Sequence, residues 1–300
     1  MTKFFSAPFF IWLAFCVFSL NTFSNDLSAQ TTAKVLNAST EPAPKKADQN
    51  GLKEKCIQSL ERFRSYFPKS KLETICEQAH VDDGCTSVNG EPLFHIDTKG
   101  TAKTTKKILV FSLIHGDEGD AGALGRFWLE RLSMIEPRND WRVIPVLNPD
   151  GVVKKTRTNA RGVDLNRNFP TTDWGTHAMA NWKQGGELPR RFPGESAASE
   201  PEVNCAMKHI KEFNPNFVVS IHTPLNVLDF DGPKDATIKN FSYLPWRRLG
   251  NFPGSLGRFL WVENNIPVLT AELKKSLPKN SDPFTQLQDV IGHLTQKDLE

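Results

Sequence analysis

The chain has 300 residues, with 37 Lys and Arg against 34 Asp and Glu and a formal net charge of +3. That length is enough for one large domain with a substantial core. Near-balanced charge without a long basic stripe excludes nucleic acid as the default partner; basic residues do cluster at Lys103–Lys107, Lys154–Arg161 and Arg190–Arg191, and the first and last of these read as solvated loops.

At the N-terminus, Lys3 precedes an apolar run from Phe4 to about Leu20, followed by small residues at Ser24 and Ala29. This layout predicts a cleaved secretory signal over residues 1–29. The run is broken by Ser6 and Pro8 and is short against the roughly 20 residues of a membrane span. No stable membrane insertion is expected after cleavage, and the mature protein is placed in the periplasm or secreted. The bulky Phe15 argues against a lipid-modified Cys16. Residues 30–50 are polar, carry Pro42 and Pro44 and lack an apolar period, which predicts a flexible linker. The folded domain is expected over 51–300, with 51–100 as a disulfide-containing N-terminal part. Cys56, Cys76, Cys85 and Cys205 in an exported chain predict up to two disulfides of open pairing, at least one closing a short loop among the first three. No Cys-x-x-C or Cys/His cluster argues for a structural zinc.

Cys56, Leu60, Phe63 and Phe67 fall at helical spacing within 52–80, and the residue before Pro68 marks the expected helix end. Asp82–Gly84 reads as a turn and 85–97 as strands preceding the main sheet. Ile108 to Ile114 is an apolar, β-branched run that predicts a strand buried on both faces. Ala121–Leu132 has helical spacing, and Trp141–Leu147 is a strand closed by a turn at Asn148–Gly151. Phe217–Ile221 and Val268–Leu273 are further strands, with helices over 198–213 and 283–299. Strands alternating with helices predict an α/β fold with a mixed, mostly parallel central sheet flanked by helices.

The strand at 108–114 stops at His115-Gly-Asp-Glu118. Open α/β sheets place their sites at strand carboxyl ends. Gly116 is expected to give the bend its freedom, so that His115 and Glu118 point at one centre. They make up two-thirds of a catalytic zinc ligand set. The same pair also suits a helix N-terminus, where acidic side chains favour the dipole. His222 closes an apolar strand and supplies the missing third ligand, or else is a satisfied structural histidine. Glu272, inside VLTAEL, is costly among apolar neighbours unless paired or functional, and is a candidate general base. Asn166 and Arg167 form a candidate carboxylate clamp, since an Arg fork and an amide hold a carboxylate together. Asp164 and Asn168 can brace that loop. A surface loop with an Arg–acid pair fits the same spacing.

The order His-x-x-Glu, Asn-Pro-Asp-Gly, Arg, Asn-Arg, His and a late strand Glu resembles the zinc metallocarboxypeptidases of the carboxypeptidase A type over about residues 85–295. GVDLNRNFP, PRRFPGESAASEPE, LDFDGP and PGSLG resemble their bacterial murein peptide amidase branch. The resemblance implies one Zn²⁺ per chain at strand carboxyl ends, held by His115, Glu118 and His222. It implies Glu272 as the base, Arg157 as the oxyanion donor (with Lys154 as the alternative alignment) and Asn166 and Arg167 as the carboxylate clamp. Leu256, after Gly254-Ser255, falls where relatives define specificity and supplies no acid for a Lys or Arg side chain. Asp229 and Asp231 can meet a substrate ammonium or can belong to a turn. The family's mobile-loop tyrosine has no counterpart at the usual spacing: either Tyr243 reaches in or the phenol is dispensed with. The implied function is hydrolysis of a bond next to a free carboxylate in peptidoglycan-derived peptides, with γ-D-glutamyl–diaminopimelate as the expected bond. Deacylation of N-acyl amino acids and non-catalytic muropeptide binding are the competing readings.

Overall fold

A computed structural model of the chain describes residues 49–67, 69–233, 241 and 243–296. The expected signal, and all of the expected linker except Gln49 and Asn50, lie outside the described residues. Six strands form one sheet: β1 (Ile96–Thr98), β2 (Lys107–Ser112), β3 (Asp140–Ile144), β4 (Phe217–His222), β5 (Leu225–Asp231) and β6 (Val268–Lys274). Their spatial order is β1-β3-β2-β4-β6-β5. The four central strands run parallel, and the two edges, β1 and β5, are antiparallel. The expected mixed, mostly parallel sheet is therefore present.

Side-chain alternation explains why these segments are strands. In β2, Ile108 and Val110 pack into one apolar layer while Leu109 and Phe111 pack into the other, all of them fully buried. A strand covered on both faces shows no polar alternation, which is why it reads as a continuous apolar run. The first layer is closed by α1 (Gln49–Glu61), α2 (Lys69–Cys76), α3 (Gly119–Leu132) and, at the C-terminus, a helix over Asp282–Gln296. The second layer is closed chiefly by the helix Pro201–Phe213, with Phe169, Leu256 and Leu260. Between these lie the short helices α4 (Pro149–Lys154) and α5 (Met179–Gln184). The longer one is then α6 (Pro201–Phe213), followed by α7 (Leu256–Arg258) and α8 (Asp282–Gln296). Among the described residues, no helix is long and apolar enough to cross a membrane.

Several boundaries differ from the sequence reading, each for a tertiary reason. The helix expected to run to Phe67 ends at Glu61. Arg126 of α3 donates to the carbonyls of Leu60 (3.1 Å) and Phe63 (2.8 Å), satisfying orphan acceptors at that helix end. Phe63 turns onto α3, where a side chain at Gly122 would meet its ring at 2.7 Å. Asn148–Gly151 is not a turn after a strand but the start of α4: Asn148 Oδ1 accepts from Gly151 N at 2.9 Å and Pro149 takes the first helical position. Of the strands expected over 85–97, only β1 forms, with isolated bridges at His80–His95 and Thr86–Pro92. Disulfides join Cys56 to Cys76 and Cys85 to Cys205, so one short loop and one long one are closed.

Candidate active site

Beyond Ser112 the chain bends sharply, with Leu113 at φ +53°, and His115 to Glu118 follow at the carboxyl end of β2. Gly116 is needed here for a different reason from the one expected. It has no left-handed φ; instead, a Cβ on it would lie 2.0 Å from the Gly151 carbonyl carbon and 2.3 Å from Val152 N. The bend and the start of α4 touch backbone to backbone, and this seats the imidazole and carboxylate.

Three side chains converge. His115 Nδ1 lies 2.8 Å from Glu118 Oε1, His222 Nδ1 lies 3.0 Å from Glu118 Oε2, and the two Nδ1 atoms are 3.2 Å apart. All three residues are buried. Zinc bonds of about 2.0–2.2 Å to nitrogen and oxygen imply tetrahedral ligand separations of roughly 3.3 Å, so the donor set fits one such ion. Each ligand is oriented from behind: His115 Nε2 meets Asp164 Oδ1 at 3.2 Å, His222 Nε2 meets Ser220 Oγ at 2.9 Å, and Thr223 N donates to Glu118 Oε2 at 3.1 Å. Burial opposes the charged form of Glu118, yet His115 and His222 outweigh it and hold its carboxyl far below the usual range. Burial likewise opposes charge on Asp164, and Arg157 and His115 overcome it, so this carboxyl too sits far below the ordinary value.

Glu272 arrives through strand register. In the parallel pairing of β4 with β6, its Cα partner is His222, and its Oε2 accepts from Leu225 N at 3.3 Å. Arg157 follows α4; its Nε donates to Asp164 Oδ2 at 2.9 Å and its NH1 reaches His115 Nδ1 at 3.2 Å. Lys154, the alternative oxyanion residue, is exposed on α4 and lines no part of the cleft. Asn166 and Arg167 lie on the short 3₁₀ turn Leu165–Arg167, which is capped by Asp164 accepting from Asn166 N. Arg167 is stacked over Phe252 at 4.7 Å. Its guanidinium is held below its ordinary value by burial, then by Arg157 and Arg191 against the pull of Asp164. Crowded cations of this kind favour an anion between them.

These groups share a cleft of about 400 Å³, whose walls also include Arg190, Arg191, Asp229, Asp231, Ser255 and Thr270. Asp229 and Asp231 are not in a turn but on β5, two residues apart and so on one face. Burial, then the neighbouring Asp229, pushes the Asp231 carboxyl up to about 6. The expectation for Leu256 needs correction. Its side chain is 1% exposed in the second apolar layer, and what it offers is a backbone N–H donating to Asn166 Oδ1 at 2.8 Å. Gly254, at φ +75°, makes that approach possible, because a Cβ there would sit 2.0 Å from Arg167 O. Tyr243 packs against the core under Lys274 Nζ, 4.7 Å from its ring, and Tyr66 donates to Pro278 O at 2.7 Å. Neither phenol is among the residues lining the cleft.

Sequence reasoning missed the partners that orient the ligands. The spacing gives Asp164 only the bracing of its own loop and gives Ser220 and Thr223 no role. Ser220 stands two residues before His222 on one strand, hence on its face, and that spacing was an available signal.

The Peptidase_M14 (zinc carboxypeptidase) family profile matches residues 70–232. Murein peptide amidase A of Vibrio campbellii is 32% identical over 216 residues, covering 67% of this chain and 84% of that protein. The Escherichia coli K12 protein of the same name is 32% identical over 154 residues, 48% of this chain and 59% of its own length. The crystal structure of murein-tripeptide amidase MpaA from Escherichia coli O157 superposes with a TM-score of 0.54 at 25% identity, covering 72% of this chain and 93% of that one. With the profile, the relative and the matching fold together, the chain belongs to the zinc carboxypeptidase family and is a hydrolase.

Proposed function

We propose that this protein is a zinc-dependent amidase of cell-wall peptides. It cleaves a peptide or isopeptide bond next to a free carboxylate, with the γ-D-glutamyl–diaminopimelate bond as its target. The observation that carries the reading is the single cleft shared by the His115, Glu118 and His222 donor set, Glu272, Arg157 and the Asn166–Arg167 pair. The name and similarity of the Vibrio campbellii relative support the substrate class.

His115, Glu118 and His222 would hold one ion per chain. When bound, zinc polarises the scissile carbonyl and makes hydroxide available near neutral pH. The Glu272 carboxylate takes a proton from the attacking water and gives it to the departing amine nitrogen, a general-base then general-acid role. Arg157, pinned by Asp164, donates to the oxygen on which negative charge develops. Asn166 and Arg167 hold the carboxylate of the residue being released. Diaminopimelate carries a second carboxylate and an ammonium, and the cleft supplies both signs: Arg190 and Arg191 among its cationic residues, Asp229 and Asp231 among its acidic ones. The secretory pattern at residues 1–29 and the two disulfides support action in the periplasm or outside the cell.

The test is mass spectrometry of L-alanyl-γ-D-glutamyl-diaminopimelate incubated with the zinc-loaded protein. Release of free diaminopimelate is expected, and Glu272→Gln abolishes it. Inertness toward the tripeptide with turnover of an N-acyl amino acid overturns the substrate reading. Full activity in Glu272→Gln overturns the base.

A further inference from the structure

A second group of ligand-type side chains lies away from the cleft, where the segment preceding β2 meets α6. Asp82, His95 and His209 each place one donor atom within 4.8 Å of the other two, and Asp82 Oδ2 is 3.3 Å from His209 Nδ1. His209 is fully buried and His95 is 3% exposed. Two atoms of the group are buried without a hydrogen bond: His95 Nδ1, and Asp82 Oδ2, whose contact with His209 Nδ1 is an ion pair only if that ring is protonated. An orphaned buried polar atom is destabilising, and native structures rarely leave one without an explanation such as a bound water or ion. Here two such atoms belong to the same cluster.

The neighbouring chemistry admits a cation. Arg142 lies alongside, but its charge is met by Asp97 through two parallel hydrogen bonds of 2.8 and 2.7 Å. Its NH1 reaches His209 Nδ1 only at 3.4 Å, a long contact that an ion would replace with a stronger one. His80, exposed and bridged through its backbone to His95, carries its ring 5.9 Å from the His95 ring. Cys85 and Cys205 border the group but are joined as a disulfide, so their sulfurs are not thiolate ligands.

We propose that Asp82, His95 and His209 form a second, structural site for a divalent transition ion, Zn²⁺ being the favoured occupant, with His80 or water completing it. Two imidazoles and a carboxylate suit that class of ion. Its ligands come from the segment before β2 and from α6, the same two pieces the Cys85–Cys205 disulfide ties together, so the ion staples that junction a second time.

The experiment strips the full-length protein with a chelator, then counts zinc per chain by native mass spectrometry on adding zinc alone. The wild type is expected to take up two equivalents. Asp82→Asn is expected to take up one and to keep its peptidase activity, since Asp82 is partly exposed and is not among the residues lining the cleft. His95→Gln, also outside the cleft lining, is expected to show the same loss of one equivalent. Two variants that bind as much zinc as the wild type overturn the site, as does a wild type that binds only one. Because the site is judged by the count of metal and not by turnover, failure here leaves the catalytic reading standing.

Discussion

Replacing Asp164 by Asn isolates the group behind His115. The substitution keeps the shape, and the amide oxygen can still accept from Asn166 N, now 3.1 Å away. What is lost is charge at a site 0% exposed, facing Arg157 Nε at 2.9 Å and His115 Nε2 at 3.2 Å. Removing one partner of a buried ion pair costs about 3–5 kcal/mol. At roughly 2–4 °C per kcal/mol for a domain of this size, melting of the zinc-free protein falls by about 6–20 °C. His115 also loses the carboxylate that fixes its ring, and such partners are worth about 10–100-fold in metal affinity, or roughly 1.4–2.7 kcal/mol. The pH dependence has a definite sign. Arg157 and His115 hold the Asp164 carboxyl below its unfolded value of about 3.9. Its stabilisation is therefore complete above that value and lost as pH falls below it, so the variant has a flatter acid limb. Competition with a chromogenic chelator measures the affinity, and thermal melts across pH measure the rest. Wild-type zinc affinity together with melting within about 2 °C of wild type would refute the claim that Asp164 orients the ligand.

Three further outcomes follow from the cleft. Arg157→Ala is expected to lower kcat by about 10²–10³ with little change in KM, the loss typical of one oxyanion donor; a loss confined to KM would reassign Arg157 to substrate binding. Arg167→Lys keeps a positive charge but loses the planar fork, so KM for a substrate with a free terminal carboxylate should rise by roughly 10-fold or more. An amidated analogue should show no such difference. Burial and Asp229 raise the Asp231 carboxyl to about 6 against the opposing Asn251 and Arg248. Binding of a substrate bearing an ammonium is therefore expected to tighten as pH rises through about 6, and Asp231→Asn to flatten that profile. The same titration works against stability. Folded Asp231 keeps its proton above the unfolded value of about 3.9, so stability falls as pH rises from there through about 6. Melts of wild type and Asp231→Asn over that range measure it.

What was legible in the sequence is what repeats locally. The doubly buried β2 announced itself because Ile108 to Phe111 are apolar on both faces, and the His and Glu three residues apart needed only one bend to meet. What was not legible is what depends on distant chain. Helix α1 ends where Arg126, far along the sequence, takes its carbonyls. Edge strand β5 was read as a motif rather than a strand because it turns Asp229 and Asp231 toward a polar cleft and carries exposed Leu225 at its start. Leu256 shows a third limit: spacing located the position but not that its side chain is buried and its backbone N–H serves Asn166.

The placement of Glu272 joins the two kinds of information. In β6, Leu269, Ala271 and Leu273 pack into the first apolar layer, which leaves Val268, Thr270 and Glu272 on the opposite face. In β4, Phe217, Val219 and Ile221 use that same layer, leaving Ser220 and His222 on the opposite face. A slip of β6 by one residue would bury the Glu272 carboxylate in the first apolar layer beside Val219 and Ile221 and turn Leu269, Ala271 and Leu273 out of it. The apolar residues of the two strands, none of which touches substrate, therefore fix the pairing that sets Glu272 beside His222. The position of the base is thus written into the core alternation as firmly as into the glutamate itself.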